Sequence, residues 1–211
     1  MSTELAPGLC PPAERSAGCS LDRLTEALEG VLCGEEPADG PAVAALLRDY
    51  AASEQSWRPY VHFREDTYSR NLVWRCGDFE LLLLCWNEGQ ASPIHDHAGQ
   101  QCWMAVLEGE LEEVHFAEPK AGGLLRPGRV KSFPQGGVAY IHDDIAVHLI
   151  RPRAGSRSIS LHLYSRPIDS CRTFCERTGA PAEVHVGYHT VRGTGCGGAD
   201  PDLIREAWQG A

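Results

Sequence analysis

The chain has 211 residues, 43% hydrophobic and 23% charged, a balance typical of a soluble globular protein. Its formal net charge of −10 argues against a nucleic-acid or anionic-membrane partner, because both bind clustered lysine and arginine. The most apolar run, residues 81–86, is too short to span a bilayer, and no secretory signal opens the sequence. The nine cysteines include no CxxC pair, which favours a reduced, cytoplasmic chain; we also expect a monomer.

Two amphipathic segments precede a β-rich region. Residues 1–19 have no periodic pattern, which predicts a loose lead-in. Ser20 suits the N-cap of a helix over about 20–32, and Pro41 suits the first turn of a second helix. The apolar positions at helical spacing are Leu21, Leu24, Leu28 and Val31 in the first helix and Val43, Leu46, Leu47 and Tyr50 in the second. We expect these helices, about 20–53, to pack outside the β-structure.

From about residue 57 the sequence predicts short strands separated by Gly, Pro, Asn and Asp. The candidate strands are residues 69–74, 79–86, 91–95, 102–108, 111–117, 138–143, 146–151 and 158–164, with further segments near 183–186 and 188–192. This pattern indicates a mainly β fold, an antiparallel jelly-roll sandwich or barrel over about 57–195. We expect residues 20–211 to form a single domain. The loop over 117–131 looks variable, and residues 203–208 suggest a terminal helix.

His95 and His97 are candidate metal ligands. They are two residues apart, so on an extended strand both imidazoles lie on the same face. Two convergent imidazoles are typical of the start of a metal site. The third ligand could be His148 or His142; we favour His148, because Asp143 and Asp144 beside His142 indicate a turn.

The spacing of this segment resembles the first motif of the cupin superfamily. Gly89, His95, His97 and Gly109 keep the motif, but Cys102 replaces a glutamate that is usually a ligand. A second, weaker cupin motif runs from Gly137 to His148, with Asp143 and Ile145 at positions usually held by proline and glycine. The resemblance implies a cupin-type jelly roll.

A site with three histidines and no carboxylate has a chemical consequence. Three neutral imidazoles leave the charge of a divalent metal uncompensated, so the site should favour an anionic ligand. A thiol is well suited, because a thiol that binds a divalent metal is deprotonated despite a free pKa near 8.5.

Two strands place polar side chains on one face. Ser160, His162 and Tyr164 alternate with apolar residues, so they either line a polar pocket or form an exposed strand face. Tyr68 and Arg70 also share a strand face. An arginine can bind a carboxylate with two parallel hydrogen bonds, although Arg70 alone could equally be a surface charge.

A more specific resemblance covers roughly residues 60–170. The segments TYSRNLV, LLCWNEGQASPIHDH, AYIHDDIAVH and SISLHLYS, together with Cys102, are similar in order and spacing to the vertebrate-type cysteine dioxygenases. The resemblance implies that His95, His97 and His148 hold Fe(II). It implies that Tyr68, Arg70, His162 and Tyr164 bind substrate, with Ser160, His162 and Tyr164 as a hydrogen-bonded catalytic trio. Cys102 and Tyr164 match the pair that forms a thioether cross-link.

The predicted reaction is the oxidation of L-cysteine by O2 to cysteine sulfinic acid, which leads towards hypotaurine, taurine and sulfate. One alternative is a dioxygenase for another small thiol such as 3-mercaptopropionate, whose relatives typically have glutamine at the position of Arg70. A second is an enzyme that oxidises N-terminal cysteines of proteins. A third is a cupin that binds metal without turnover.

Overall fold

In the computed structural model, which describes residues 20–33, 39–53, 55–117 and 123–195, two helices precede the strands. They are α1 (Ser20–Leu32) and α2 (Gly40–Ser53), as the sequence predicts. Asp39 caps α2, because its Oδ1 accepts a hydrogen bond from Ala42 N at 3.1 Å. The predicted lead-in of residues 1–19, the cap role of the Ser20 side chain and the terminal helix at 203–208 lie outside the described residues.

A short 3-10 helix (Arg58–Tyr60) leads into the β-structure. The strands in chain order are β1 (Ser69–Arg75), β2 (Glu80–Trp86), β3 (Ile94–His95), β4 (Gln101–Glu108), β5 (Glu110–Phe116), β6 (Pro127–Pro134), β7 (Val138–Ile141), β8 (Val147–Pro152), β9 (Ser158–Ser165), β10 (Ser170–Phe174), β11 (Pro181–His185), β12 (Thr190–Val191) and β13 (Thr194–Gly195).

These strands form two sheets in the described part of the chain. One sheet has the order β13-β12-β1-β2-β9-β4-β7, and the other has the order β11-β10-β3-β8-β5-β6. Neighbouring strands are antiparallel, except that β1 and β12 pair in parallel. The predicted mainly β, cupin-type jelly roll with two N-terminal helices is confirmed. The single-domain organisation of residues 20–211 stays a prediction.

The structure differs from the predicted strands in several places. β6 begins inside the loop that was predicted to be variable. It is an edge strand whose side chains are mostly exposed and which carries proline at both ends, so it lacks a strand-like apolar pattern. β10 was also missed. β3 is shorter than the predicted 91–95, because Pro93 has no backbone N–H and Ser92 pairs irregularly, its Oγ accepting from Ile150 N at 2.9 Å.

The central strands β2 and β9 are buried on both faces. Alternate residues of each strand, such as Leu83 and Leu161, pack on one side against α1 and α2, and this core excludes water from the outer face of the sheet. The other residues, such as Leu84 and Tyr164, face the space between the two sheets. The helices are therefore the reason why β2 is apolar from Leu81 to Trp86, and β9 is held from both sides.

Among the described residues, no helix is long and apolar enough to cross a membrane.

Candidate metal centre

The structure brings His95, His97 and His148 together. His95 lies on β3 directly opposite His148 on β8, and His97 follows β3 by two residues. One ring nitrogen from each residue lies within 4.8 Å of the other two. His142, the competing candidate, is outside this group and lies 3.2 Å from Asp144 in the turn between β7 and β8. His95, His97 and His148 are called the histidine triad below.

Two buried or half-buried carboxylates fix the chain around His97. Asp143 accepts hydrogen bonds from His97 N at 2.7 Å and Gly99 N at 2.6 Å, which links the turn after β7 to the segment after β3. Burial alone would raise the pKa of Asp143, but the hydrogen bonds from His97 and Gly99 outweigh burial and lower the pKa to about 2. Asp96 accepts from Arg172 N at 2.8 Å and Nε at 2.5 Å, which ties the same segment to β10.

The triad fits a metal ion because each of its imidazoles keeps a ring nitrogen for coordination. Burial, followed by the charges of the other two histidines, holds the pKa of His95 well below its usual value. Nδ1 of His95 lies 2.9 Å from Pro93 O, which leaves Nε2 for a metal. Neither buried ring nitrogen of His97 has a hydrogen-bond partner in the described residues, although Nδ1 lies 3.4 Å from Asp143 Oδ1. A metal would satisfy a nitrogen that is otherwise costly to bury.

Glu113 supports the third histidine from behind. Its Oε1 lies 2.9 Å from His148 Nδ1, so Nε2 of His148 is directed to the triad by elimination. Its Oε2 lies 2.9 Å from His115 Nε2 and 3.5 Å from Lys131 Nζ. Burial raises the pKa of Glu113, but the hydrogen bond and charge of His148 and the charge of His115 lower it to about 2. Burial lowers the pKa of His148 to about 4, despite Glu113.

The sequence prediction missed Glu113, although one signal was present. Glu113 shares its strand parity with Leu111, which is fully buried, so the alternation of β5 places an acidic residue at a core position. A carboxylate at a core position needs a partner, and His148 on the neighbouring strand is that partner.

A cavity of about 250 Å³ opens beside the triad. Tyr68, Arg70 and Tyr164 line it together with His95 and His97. The cavity is also lined by a group that the sequence reading did not assign to the site: Ile168, Cys171, Thr173 and residues 184–189. These residues come from the loop before β10, from β10 and β11, and from the loop before β12. The approach of β12 to β1 depends on tertiary pairing.

Arg70 points its guanidinium towards this cavity. Its Nε donates to Gly187 O at 3.1 Å, and the guanidinium lies 5.8 Å from the Tyr164 ring centre. In the described part of the chain, its two terminal nitrogens have no hydrogen-bond partner. Burial lowers the pKa of Arg70, but Tyr164, Tyr68 and Glu80 raise it above its ordinary value, so the side chain stays cationic. Glu80 itself is paired with Arg75 at 2.9 Å.

One ring stacking and two hydrogen bonds connect the Tyr68 ring to His162. Tyr68 stacks on Trp86 with ring centres 4.4 Å apart, and Trp86 Nε1 donates to Ser160 Oγ at 2.9 Å. Ser160 Oγ lies 2.9 Å from His162 Nε2. Because Ser160 accepts from Trp86, we assign its hydroxyl as donor to Nε2, which places the His162 proton on Nδ1. Burial holds the pKa of His162 well below its usual value.

The inner face of β9 carries Ser160, His162 and Tyr164, all of them buried. The alternative of an exposed strand face is therefore wrong. The His162 and Tyr164 ring centres are 6.1 Å apart. Burial raises the pKa of Tyr164 well above its ordinary value, so the phenol keeps its proton near neutral pH.

Cys102 and Tyr164 are directly opposite each other on neighbouring strands β4 and β9. Side chains at directly opposite positions lie on the same face of the sheet, with Cβ atoms about 5 Å apart. Cys102 is a free, buried thiol, and burial raises its pKa. The thiol and the phenol can therefore meet without a change of backbone.

Comparisons with known proteins identify the family of the chain. The family model described as "Cysteine dioxygenase type I" matches residues 15–177. Cysteine dioxygenase type 1 of Bos taurus is 34% identical over 178 residues, which cover 82% of this chain and 88% of that protein. Cysteine dioxygenase type 1 of Danio rerio is 38% identical over 141 residues, covering 65% of this chain and 70% of that protein.

One similar solved structure is a protein with a double-stranded beta-helix domain from Klebsiella pneumoniae. It is 18% identical, covers 63% of this chain and 96% of that one, and has a TM-score of 0.45, a value too low to carry an argument. The family model and the relatives do show the family, because the matches cover most of this chain and most of the relatives. The chain belongs to the cysteine dioxygenase type I family.

Proposed function

We propose that this chain oxidises free L-cysteine with O2 to cysteine sulfinic acid, using Fe(II) held by the histidine triad. The observation that carries the proposal is the cavity beside the triad, in which His95 and His97 lie with a cationic Arg70 whose terminal nitrogens have no hydrogen-bond partner in the described residues. Family membership supports a dioxygenase rather than a cupin that binds metal without turnover.

Iron(II) is the metal that this donor set would serve in the proposed reaction. Imidazole ligands suit iron as well as zinc and copper, so the choice of iron rests on the dioxygenase family. When bound, iron(II) would supply a Lewis acid for the substrate thiolate and the redox chemistry that O2 needs. His95, His97 and His148 would contribute no charge of their own, since all three are neutral ligands.

Arg70 and Tyr68 would bind the substrate carboxylate. The terminal nitrogens of Arg70 can donate two parallel hydrogen bonds, and the Tyr68 ring is held in place by its stacking on Trp86. This arrangement favours a small thiol with a carboxylate over an N-terminal cysteine of a protein, whose carboxyl group is an amide. It leaves 3-mercaptopropionate as the rival substrate, because that thiol also carries a carboxylate.

Tyr164 and His162 would orient the reacting groups as proton donors. Burial keeps the Tyr164 hydroxyl protonated, so it can donate a hydrogen bond into the cavity that it lines. Ser160 fixes the His162 ring, whose Nδ1 has no hydrogen-bond partner in the described residues and is therefore available to a ligand. Both groups can hold a proton at a defined atom while water is excluded by the surrounding core.

We also propose that the protein acts as a cytoplasmic monomer without a nucleic-acid or membrane partner. The triad and Arg70 come from one chain, so the site needs no second copy. The net charge of −10 supports the absence of a polyanionic partner. Light scattering at assay concentration measures the mass of the active species, and a stable dimer would contradict the monomer.

The first prediction concerns the metal and the product. We expect anaerobic loading with Fe(II), followed by L-cysteine and O2, to yield a product two oxygen atoms heavier than cysteine, with O2 consumed in equal amount. His95→Ala should lose both iron and turnover, because two imidazoles and water hold the ion poorly. His142→Ala is the matched control and should keep both. Bound iron without turnover of any thiol would favour the binding-protein alternative.

The second prediction concerns substrate choice. Arg70→Ala leaves the substrate carboxylate without a charged partner, at a cost on the order of 2–5 kcal/mol. We expect kcat/KM for L-cysteine to fall roughly 30-fold or more. Turnover of cysteamine, which is cysteine without the carboxylate, should change little, and this substrate is the control for a damaged site. Turnover of 3-mercaptopropionate in preference to L-cysteine by the unaltered enzyme would move the proposal to the rival substrate.

The third prediction concerns Glu113. Glu113→Gln removes the charge that orients and strengthens His148 as a ligand, so we expect iron affinity to fall about 10–100-fold. Equilibrium competition with a chelator measures the affinity directly, without turnover. Glu112→Gln changes the neighbouring acid, which pairs with Arg151 at the surface, and should leave the affinity unchanged. Equal affinities in both variants would show that Glu113 serves folding only.

The fourth prediction concerns Cys102 and Tyr164, which we propose form a thioether cross-link. The Cys102 sulfur would bond to a ring carbon of Tyr164, and the two hydrogens lost would reduce O2. Protein aerated with iron and cysteine should then be lighter by two hydrogens, and a joined Cys102–Tyr164 peptide should appear after digestion. Cys102→Gly should keep its full mass. Unchanged turnover of Cys102→Gly would count against a large role for the bond.

A further inference from the structure

A second group of ligand atoms lies away from the histidine triad. Cys33 directly follows α1, while Cys76 and Asp78 lie in the turn that joins β1 to β2. One ligand atom from each lies within 4.8 Å of the other two. Cys33, Cys76 and Asp78 are called the thiol cluster below. Cys76 packs against the core under the helices, so the cluster is on the helix-covered side of the seven-stranded sheet.

Both parts of the chain that meet at the thiol cluster are held by the fold. Cys33 N donates to Glu29 O at 2.9 Å, which continues the last turn of α1, and Leu28 on that turn is fully buried. On the other side, Cys76 N donates to Phe79 O at 3.0 Å and closes the turn. Leu28 and Phe79 belong to the same core cluster. The approach of the two thiols therefore follows from core packing.

The ligand types select a class of metal. In a tetrahedral zinc site, Zn–S is about 2.3 Å and Zn–O about 2.0–2.2 Å, so ligand atoms lie about 3.4–3.8 Å apart. The ligand atoms of the thiol cluster, which lie within 4.8 Å of one another, would have to move closer together to reach that spacing. Two thiolates and a carboxylate repel each other when ionised, and a divalent cation would offset that repulsion. Thiolates prefer soft ions such as Zn²⁺ and Cd²⁺ to Mg²⁺ or Ca²⁺.

We propose that Cys33, Cys76 and Asp78 bind one thiophilic divalent cation, such as Zn²⁺, at a site separate from the histidine triad. Three protein ligands leave a fourth position for water, and Cys33 is exposed, so the ion reaches the site from solvent. The ion would link the end of α1 to the β1–β2 turn. Asp78 distinguishes this arrangement from a simple cysteine pair, because a carboxylate takes no part in a disulfide bond but can be a metal ligand.

Cadmium titration of the reduced, iron-loaded full-length protein tests the site. Cd²⁺ bound to thiolates gives a near-ultraviolet charge-transfer band, which imidazole ligands do not give. We expect one equivalent to produce the band and to protect two thiols from alkylation. Cys33→Ser should remove the band from that equivalent, and Asp78→Asn should weaken binding roughly tenfold or more. Both variants should keep dioxygenase turnover.

Cys175→Ser is the matched control, since Cys175 is an exposed free cysteine outside the cluster, and it should leave the titration unchanged. A band of equal strength in Cys33→Ser would overturn the proposal. In protein prepared without reductant, loss of two thiols before metal is added, reversed by a reductant and absent in Cys33→Ser, would also overturn it and identify a Cys33–Cys76 disulfide instead.

Discussion

The clustering of three buried or half-buried imidazoles within 4.8 Å of one another is the constraint on which the rest of the site depends. Three imidazolium ions could not share that space, because desolvation and mutual repulsion both disfavour the charged form. His95 and His148 are therefore held in the neutral form that a metal requires, and the unpartnered ring nitrogens of His97 cost stability until a metal satisfies one of them.

The carboxylates around the triad orient the ligands without joining the cluster. Asp143 and Asp96 hold the backbone on either side of His97, and Glu113 holds the His148 ring. The pKa values of Asp143 and Glu113, both about 2, show that each is ionised near neutral pH. The negative charges of Asp143 and Glu113 thus lie beside and behind the histidines, where they fix the direction of the ligands.

Local patterns in the sequence predicted much of this arrangement. The spacing of His95 and His97 and the parity of β9 are properties of a few consecutive residues, and the fold preserved them. Glu113 and residues 184–189 were missed for a different reason. They reach the site through pairing between strands distant in sequence. β6 was not predicted because an exposed edge strand has no alternation of apolar and polar residues.

The charge balance of the proposed reaction follows from these placements. A divalent metal on the histidine triad and the cation of Arg70 would together present three positive charges to the cavity, and Glu113 behind His148 and Asp143 beside His97 offset part of that charge. A thiol that carries a carboxylate would supply two negative charges, its thiolate at the metal and its carboxylate at Arg70. A thiol without a carboxylate would leave Arg70 uncompensated in a half-buried position. Substrate selectivity would then depend on the positive charges of the metal and Arg70 as much as on the shape of the cavity.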